Sequence, residues 1–276
     1  MKRWFATLPM YNVTPRHGAL WRALLTDALR AFAQAGGPAD VSTLDEPPAD
    51  LMPMWRHPDL LLSQTCGYPY RMLGLDQAVR LVATPMFDAD GCDGMRYRSV
   101  LVVSEAAWVR GATNLTACRG LRAACNGRDS HSGMNGLRHA AAPLARDGRF
   151  FASVVWTGSH LNSLRALAES TADVAAIDCV TLALLRDANP GLLQGVRPIG
   201  TTASAPGLPF IASRELGEQH VAALFDALDH ALAADGERAR ALRLRGFARP
   251  AHSDYVVIER MAQIAAEFGY PDLAQP

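Results

Sequence analysis

Apolar residues recur at helical spacing over Ala19–Ala35, at Leu20, Trp21, Leu24, Leu25, Ala28, Leu29 and Phe32. That spacing predicts a one-faced helix, and Gly36-Gly37-Pro38 predicts its end. A short apolar strand, Arg3–Pro9, and a polar turn, Tyr11–Pro15, precede it, so the chain opens as a strand–loop–helix unit of an α/β lobe. Asp40–Leu44 reads as a weak second strand and Glu46–Pro53 as a Pro-rich link. The burst Leu60-Leu61-Leu62 predicts a buried parallel strand, with Gln64–Tyr70 as the loop at its C-terminal end. Ligands of open α/β sheets bind at such ends. Thr65, Gly67, Tyr68 and Tyr70 therefore either face a cleft or, for the tyrosines, sit half-buried beside a turn.

Val79–Pro85 supplies another strand, and Tyr97–Ser104 (YRSVLVVS) is rich in β-branched residues, as strands are. Shorter strands at Ala123–Cys125, Phe151–Thr157 and Asp173–Ile177 alternate with helices at Leu161–Ser170 and Thr181–Asp187. Gly207–Ser213 reads as the last strand, and Gln219–Ala234 and Asp254–Phe268 as amphipathic helices. YRSVLVV and GLPFIAS bracket a self-contained run of strand–helix units. The expected organisation is thus a discontinuous first lobe, 1–96 plus 206–276, around an inserted lobe, 97–205. Two crossing strands would form the hinge.

The 276 residues are 49% hydrophobic and 20% charged, enough apolar material for a sizeable core. Lys plus Arg equals Asp plus Glu at 27 each, which argues against a nucleic-acid or membrane-surface partner. No apolar run reaches the ~18 residues of a membrane span. The start, MKRWFATLPMYNVTP, is basic but has no apolar stretch behind it. The chain as it stands is therefore expected in the cytoplasm, or in the periplasm if a signal has been removed or lies upstream. Five scattered cysteines (Cys66, Cys92, Cys118, Cys125, Cys179) form no CxxC pair and show no metal-site spacing. No cofactor or metal is expected.

Leu121–Ala142 carries the densest candidate chemistry. A short strand breaks at Asn126-Gly127, and a helix resumes after Ser132-Gly133. Between them stand Asp129-Ser130-His131-Ser132-Gly133. Helix starts present orphan N–H groups and the positive end of the helix dipole. Serines add hydroxyl donors and glycine admits close approach. The stretch is either an oxyanion cradle or a serine-capped helix. Gly158-Ser159-His160 precedes a second helix in the same manner, where His160 is a ligand or an ordinary cap residue. Asp178 ends a strand, as a site carboxylate or as the cap of the Thr181 helix.

Five segments together resemble the substrate-binding proteins of phosphate/phosphite/phosphonate ABC transporters. They are SQTCGYPY (Ser63–Tyr70), YRSVLVV (Tyr97–Val103), GRDSHSGMNGLR (Gly127–Arg138), TGSHLNSLRALAESTADVAAIDCVTLALL (Thr157–Leu185) and APGLPFIAS (Ala205–Ser213). The resemblance covers nearly the whole chain. It implies an α/β, two-lobed type 2 periplasmic-binding fold, with mixed sheets flanked by helices and a two-strand hinge. It further implies a monomer that holds a small phosphorus oxyanion between its lobes and delivers it to an ABC permease.

The resemblance places the phosphoryl grip on Ser130, His131 and Ser132, with Gly133 and Asn135 in the same turn. Ser159 and the family histidine, His160, would join it, with Asp178 as the acidic ligand. The first-lobe contacts would be Tyr11, Asn12, Thr65 and Tyr68 or Tyr70, and Tyr97 would line the site from the strand that opens the second lobe. His131 stands where the family has a small hydroxyl. The implied protein binds without chemistry and is not an enzyme. Two further readings of the same residues remain. One is an enzyme pairing Cys66 or Cys179 with His131 or His160. The other is an intracellular sensor, for which no helix-turn-helix segment precedes the fold.

Overall fold

The computed structural model describes residues 3–274. The chain opens with β1 (Trp4–Thr7), α1 (Pro15–Gln34), β2 (Val41–Thr43), α2 (Leu51–Trp55), β3 (Leu60–Gln64), α3 (Gly67–Met72) and β4 (Val79–Phe87). It continues through β5 (Arg96–Tyr97), β6 (Ser99–Ser104), α4 (Glu105–Val109), β7 (Arg122–Cys125), α5 (Gly136–Ala141), β8 (Ser153–Trp156) and α6 (His160–Ala168). Then come β9 (Val174–Asp178), α7 (Cys179–Ala188), β10 (Val196–Thr201), β11 (Ala205–Pro206) and β12 (Phe210–Ser213). The chain closes with α8 (Glu218–Ala233), α9 (Gly236–Ala241), β13 (Leu244–Ala248) and α10 (Val256–Glu267). Short β5 pairs with β11, and the chain passes between two compact units within each of these strands.

The first unit runs to Asp88 and takes in Asp93–Arg96 and Pro206–Tyr255. Its six-stranded sheet has the order β13-β4-β12-β3-β1-β2. β1 is parallel to β2 and β3, whereas β12 and β13 run antiparallel to β4. α1 starts where Thr14 Oγ1 accepts from the His17 N–H, with Pro15 fixing the first turn. The helix buries Trp21, Leu24, Leu25, Ala28 and Phe32, an apolar stripe at the spacing the sequence shows. Trp21 meets Phe87 and Phe210 at ring separations of 6.4 and 6.5 Å, and Phe210 meets Phe247 edge-on at 5.5 Å. Fully burying such side chains contributes about 1.5–3 kcal/mol each.

Two expectations fail in this unit. Gln64–Tyr70 is not a loop throughout: β3 gives way at Gly67 to helix α3, which carries Tyr68 and Tyr70. Gly207–Ser213 is not the last strand, because Leu244–Ala248 adds β13 at the sheet edge. Arg245 and Gly246 hide that strand from a reading of periodicity, since Gly is depleted in strands and marks irregular register. The register of β13 on β4 does shift between Leu244 and Gly246.

The second unit comprises Ala89–Cys92, Tyr97–Ala205 and the chain from Val256 onward. Its sheet has the order β10-β6-β9-β7-β8, parallel at β7–β8 and β7–β9 and antiparallel where β6 meets β9 and β10. Asp173 anchors the start of β9 by accepting from Arg122 Nε at 2.8 Å and from the Arg122 backbone N–H at 3.1 Å. These bonds hold the Asp173 carboxyl below its ordinary range.

The C-terminal segment departs from the division read in the sequence, which assigned 206–276 entire to the first lobe. Val256 onward packs in the second unit. Two bonds show why: Asn135 Nδ2 donates to the Ile258 carbonyl at 3.1 Å, and Arg138 Nη1 donates to the Pro271 carbonyl at 2.5 Å. An amphipathic helix advertises a buried face but not the surface that buries it.

Candidate functional site

β7 ends at Cys125, and the chain turns through Asn126–Asp129 into a single wide helical turn, His131–Asn135, before α5 begins. The width is visible in the bond from Asn135 N–H to the Ser130 carbonyl, which spans five residues rather than four. Turns of this type gather at functional sites. Ser130 caps the turn, its Oγ accepting from the Gly133 N–H at 3.1 Å. A hydroxyl that accepts in this way keeps its own proton to donate. Ser130 Oγ lies 3.5 Å from Ser132 Oγ, and Ser132 Oγ lies 2.8 Å from His160 Nε2. Ser99 Oγ donates to the Ser132 carbonyl at 2.9 Å and holds the turn on β6.

Both imidazoles are neutral at ordinary pH. Burial, helped by nearby His139, pushes His131 down to about 3, and burial pushes His160 down to about 4. His160 Nδ1 is buried and has no hydrogen-bond partner. In the tautomer where the Ser132 hydroxyl donates to Nε2, that Nδ1 carries a proton and lacks a protein acceptor. In the other tautomer Nε2–H donates to Ser132 Oγ and the serine keeps its proton, so either His160 Nδ1 or Ser132, not both, joins Ser130 as an uncharged donor.

Gly133 makes this packing possible. A Cβ there would lie 1.9 Å from Asn126 Oδ1 and 3.2 Å from His160 Cε1. Asn126 Oδ1 is itself buried with no partner. Its place beside the turn was missed in the sequence, where Asn-Gly reads only as a chain reversal.

The other expected residues divide. Tyr97 is buried with its ring 6.3 Å from that of His131, and both belong to the second unit. Ser159 caps α6 by accepting from the Asn162 N–H at 3.1 Å, so His160 is the first residue of the helix rather than its preface. Asn135 is fully buried and its amide is committed to the protein. Nδ2 donates to His131 Nδ1 at 3.2 Å and to the Ile258 carbonyl, while Oδ1 accepts from Arg138 Nη2 at 2.7 Å. Asn135 therefore braces the turn and has no amide proton left to offer an anion.

Asp178 is the N-cap of α7. Its Oδ1 accepts from the Val180 and Thr181 N–H groups at 2.7 and 3.1 Å. Tyr11, Asn12, Thr65 and Tyr68 belong to the first unit. Tyr11 is buried against Phe87 in the left-handed region at φ 61°, an uncommon conformation for an aromatic residue. Asn12 is exposed with Nδ2 on the Leu8 carbonyl, and Thr65 is buried with its N–H on the Pro209 carbonyl. Tyr68 is half-buried on α3, and Tyr70 is buried with its hydroxyl 2.9 Å from His252 Nδ1.

The thiol–imidazole pair of the enzyme reading does not form at Cys179. Its Sγ lies 3.6 Å from Cys92 Sγ instead, and that hydrogen bond together with burial holds its thiol far above the usual range. Among the described residues, no three His, Cys, Asp or Glu side chains gather as a metal site would require, and no helix is long and apolar enough to cross a membrane.

Solved structures with this architecture are two-lobed binding proteins of mixed α/β type. A binding-protein component of an ABC phosphonate transporter from Pseudomonas aeruginosa matches at a TM-score of 0.76 and 14% identity, over 96% of this chain and 87% of that one. PhnD1 from Prochlorococcus marinus in complex with methylphosphonate matches at 0.72 and 14%, over 95% and 97%. The alkanesulfonate-binding protein SsuA from Xanthomonas axonopodis pv. citri, bound to MOPS, matches at 0.64 and 13%, over 100% and 95%. No curated protein matches in sequence. The model of the family described as "ABC transporter, phosphonate, periplasmic substrate-binding protein" matches residues 59–255, and the chain belongs to that family. This is a family of periplasmic transport proteins that present a small ligand to a permease, not a family of enzymes.

Proposed function

We propose that the protein captures a small phosphorus oxyanion of the phosphonate, phosphate or phosphite class and hands it to an ABC permease. The observation that carries this reading is the Ser130–Ser132–His160 set. Two hydroxyls 3.5 Å apart and an imidazole 2.8 Å from the second converge at a wide helical turn. An oxyanion there meets neutral donors and the positive end of a helix. Such a site binds and releases, as a carrier must.

Calorimetric titration with methylphosphonate, phosphate, phosphite and methanesulfonate tests the proposal, in the native protein and in Ser132→Ala. Phosphorus ligands are expected to bind. Loss of one charge-assisted hydrogen bond, about 1.5–3 kcal/mol, should weaken them by roughly tenfold or more in the variant. Binding of methanesulfonate alone would reassign the ligand to the sulfonates. Unchanged affinity in Ser132→Ala would remove the turn from the site.

A further inference from the structure

Two of the five cysteines meet outside the Ser130–Asn135 turn itself. Cys92 lies in Ala89–Cys92, a short excursion of the chain into the second unit, and Cys179 opens α7. Their sulfurs are 3.6 Å apart. The approach depends on Gly91, whose φ of 99° lies in the left-handed region. A Cβ on Gly91 would stand 3.2 Å from Cys179 Cβ and 3.4 Å from its sulfur. Within the loop the Cys92 N–H donates to the Ala89 carbonyl at 2.9 Å, and the exposed Asp90 carboxylate lies 3.8 Å from Arg186. Cys92 is half-buried and Cys179 buried, yet Cys179 also lines a cavity of about 210 Å³ in this unit. No third metal-ligating side chain joins them among the described residues.

We propose that Cys92 and Cys179 are a redox pair that closes to an intramolecular disulfide by exchange with a disulfide oxidant. The sulfurs need to close by only about 1.5 Å to reach bonding distance, a movement within the reach of side-chain rotation. The more accessible Cys92 loses its proton and attacks the oxidant's S–S bond, releasing one oxidant thiolate and leaving a mixed disulfide. With the Cys92 sulfur in the mixed disulfide, the thiol hydrogen bond that held the Cys179 proton is gone; Cys179 loses that proton and attacks the Cys92 sulfur, expelling the second oxidant thiolate. Two protons and two electrons leave the pair, and the oxidant is reduced to two thiols. The bond would tie the start of α7 to a loop from which the chain passes, on both sides, to the first unit.

The test is incubation of the full chain with oxidised glutathione, followed by denaturation, alkylation and peptide mapping without reductant. The expected product is a Cys92–Cys179 linked peptide, with two fewer alkylated thiols, both restored by dithiothreitol. In Cys179→Ser, Cys92 should retain one glutathione, because no second thiol resolves it. In Cys92→Ser, the buried Cys179 should stay reduced. Native protein that stays reduced, that retains glutathione on Cys92, or that links Cys92 to another cysteine overturns the proposal.

Discussion

Two helix starts in the second unit solve one problem in opposite ways. At Ser130 the orphan N–H of Gly133 is met by a neutral hydroxyl, with a second hydroxyl and a neutral imidazole beside it. At Asp178 the N–H groups of Val180 and Thr181 are met by one carboxylate oxygen. A carboxylate cap is already the anion that a helix start attracts, and it repels another. A hydroxyl cap leaves the dipole uncompensated and keeps donors to offer. Capping and anion binding thus compete for the same groups, and the charge of the cap decides which function the helix start has left.

The largest expected effect breaks the first of these starts. Gly133→Ala would drive a methyl to 1.9 Å from Asn126 Oδ1, so the turn must open. We expect affinity for methylphosphonate to fall at least ~100-fold, equivalent to about 2.7 kcal/mol. Binding within tenfold of the native protein would show that the turn's geometry is not what holds the ligand.

Acid sharpens the contrast next. His131 and His160 are depressed to about 3 and about 4 from 6.5. Above 6.5 both states hold them neutral, so they add no pH dependence. Below it the unfolded chain takes up protons that the fold refuses. Stability should fall by up to about 1.4 kcal/mol per histidine per pH unit until each folded pKa is reached. Urea titrations across this range should show the slope, and His131→Gln should reduce it. An unchanged slope in that variant would mean His131 protonates in the folded state.

The smallest effect belongs to the second start. Asp178→Ala should cost about 1 kcal/mol as a lost N-cap while leaving ligand affinity within twofold. A large affinity loss with an unchanged melting temperature would return Asp178 to the ligand.

The sequence made much of the scaffold legible where one force dominates. The stripe from Leu20 to Phe32 and the β-branched run Ser99–Ser104 are formed by burial, and their periods show it. The helix holding Tyr68 was hidden because Pro69 and two aromatics carry no helical period. The allegiance of α10 was hidden because what it meets, including Asn135 on the Ile258 carbonyl, lies far away in sequence. At the candidate site, hydroxyls at helix starts were visible but their division of labour was not. Nothing in the spacing distinguishes Ser132, which meets His160, from Asn135, whose amide the protein consumes. Asn126 was overlooked because its side-chain oxygen matters only once Gly133 is folded against it.

The bonds from Asn135 and Arg138 to Ile258 and Pro271 also set a clock on synthesis. A ribosome making this chain delivers Ile258 123 residues after Asn135, so the brace of the anion turn forms long after the turn itself has been made. Until then Asn135 Nδ2 and Arg138 Nη1 lack the carbonyls that hold them in the mature unit. Domains that lie early in a chain can fold as they emerge, but the second unit also draws on α10, which follows the first unit's Pro206–Tyr255 segment. Early release of the nascent chain would leave β6 to β10 made and the turn unbraced.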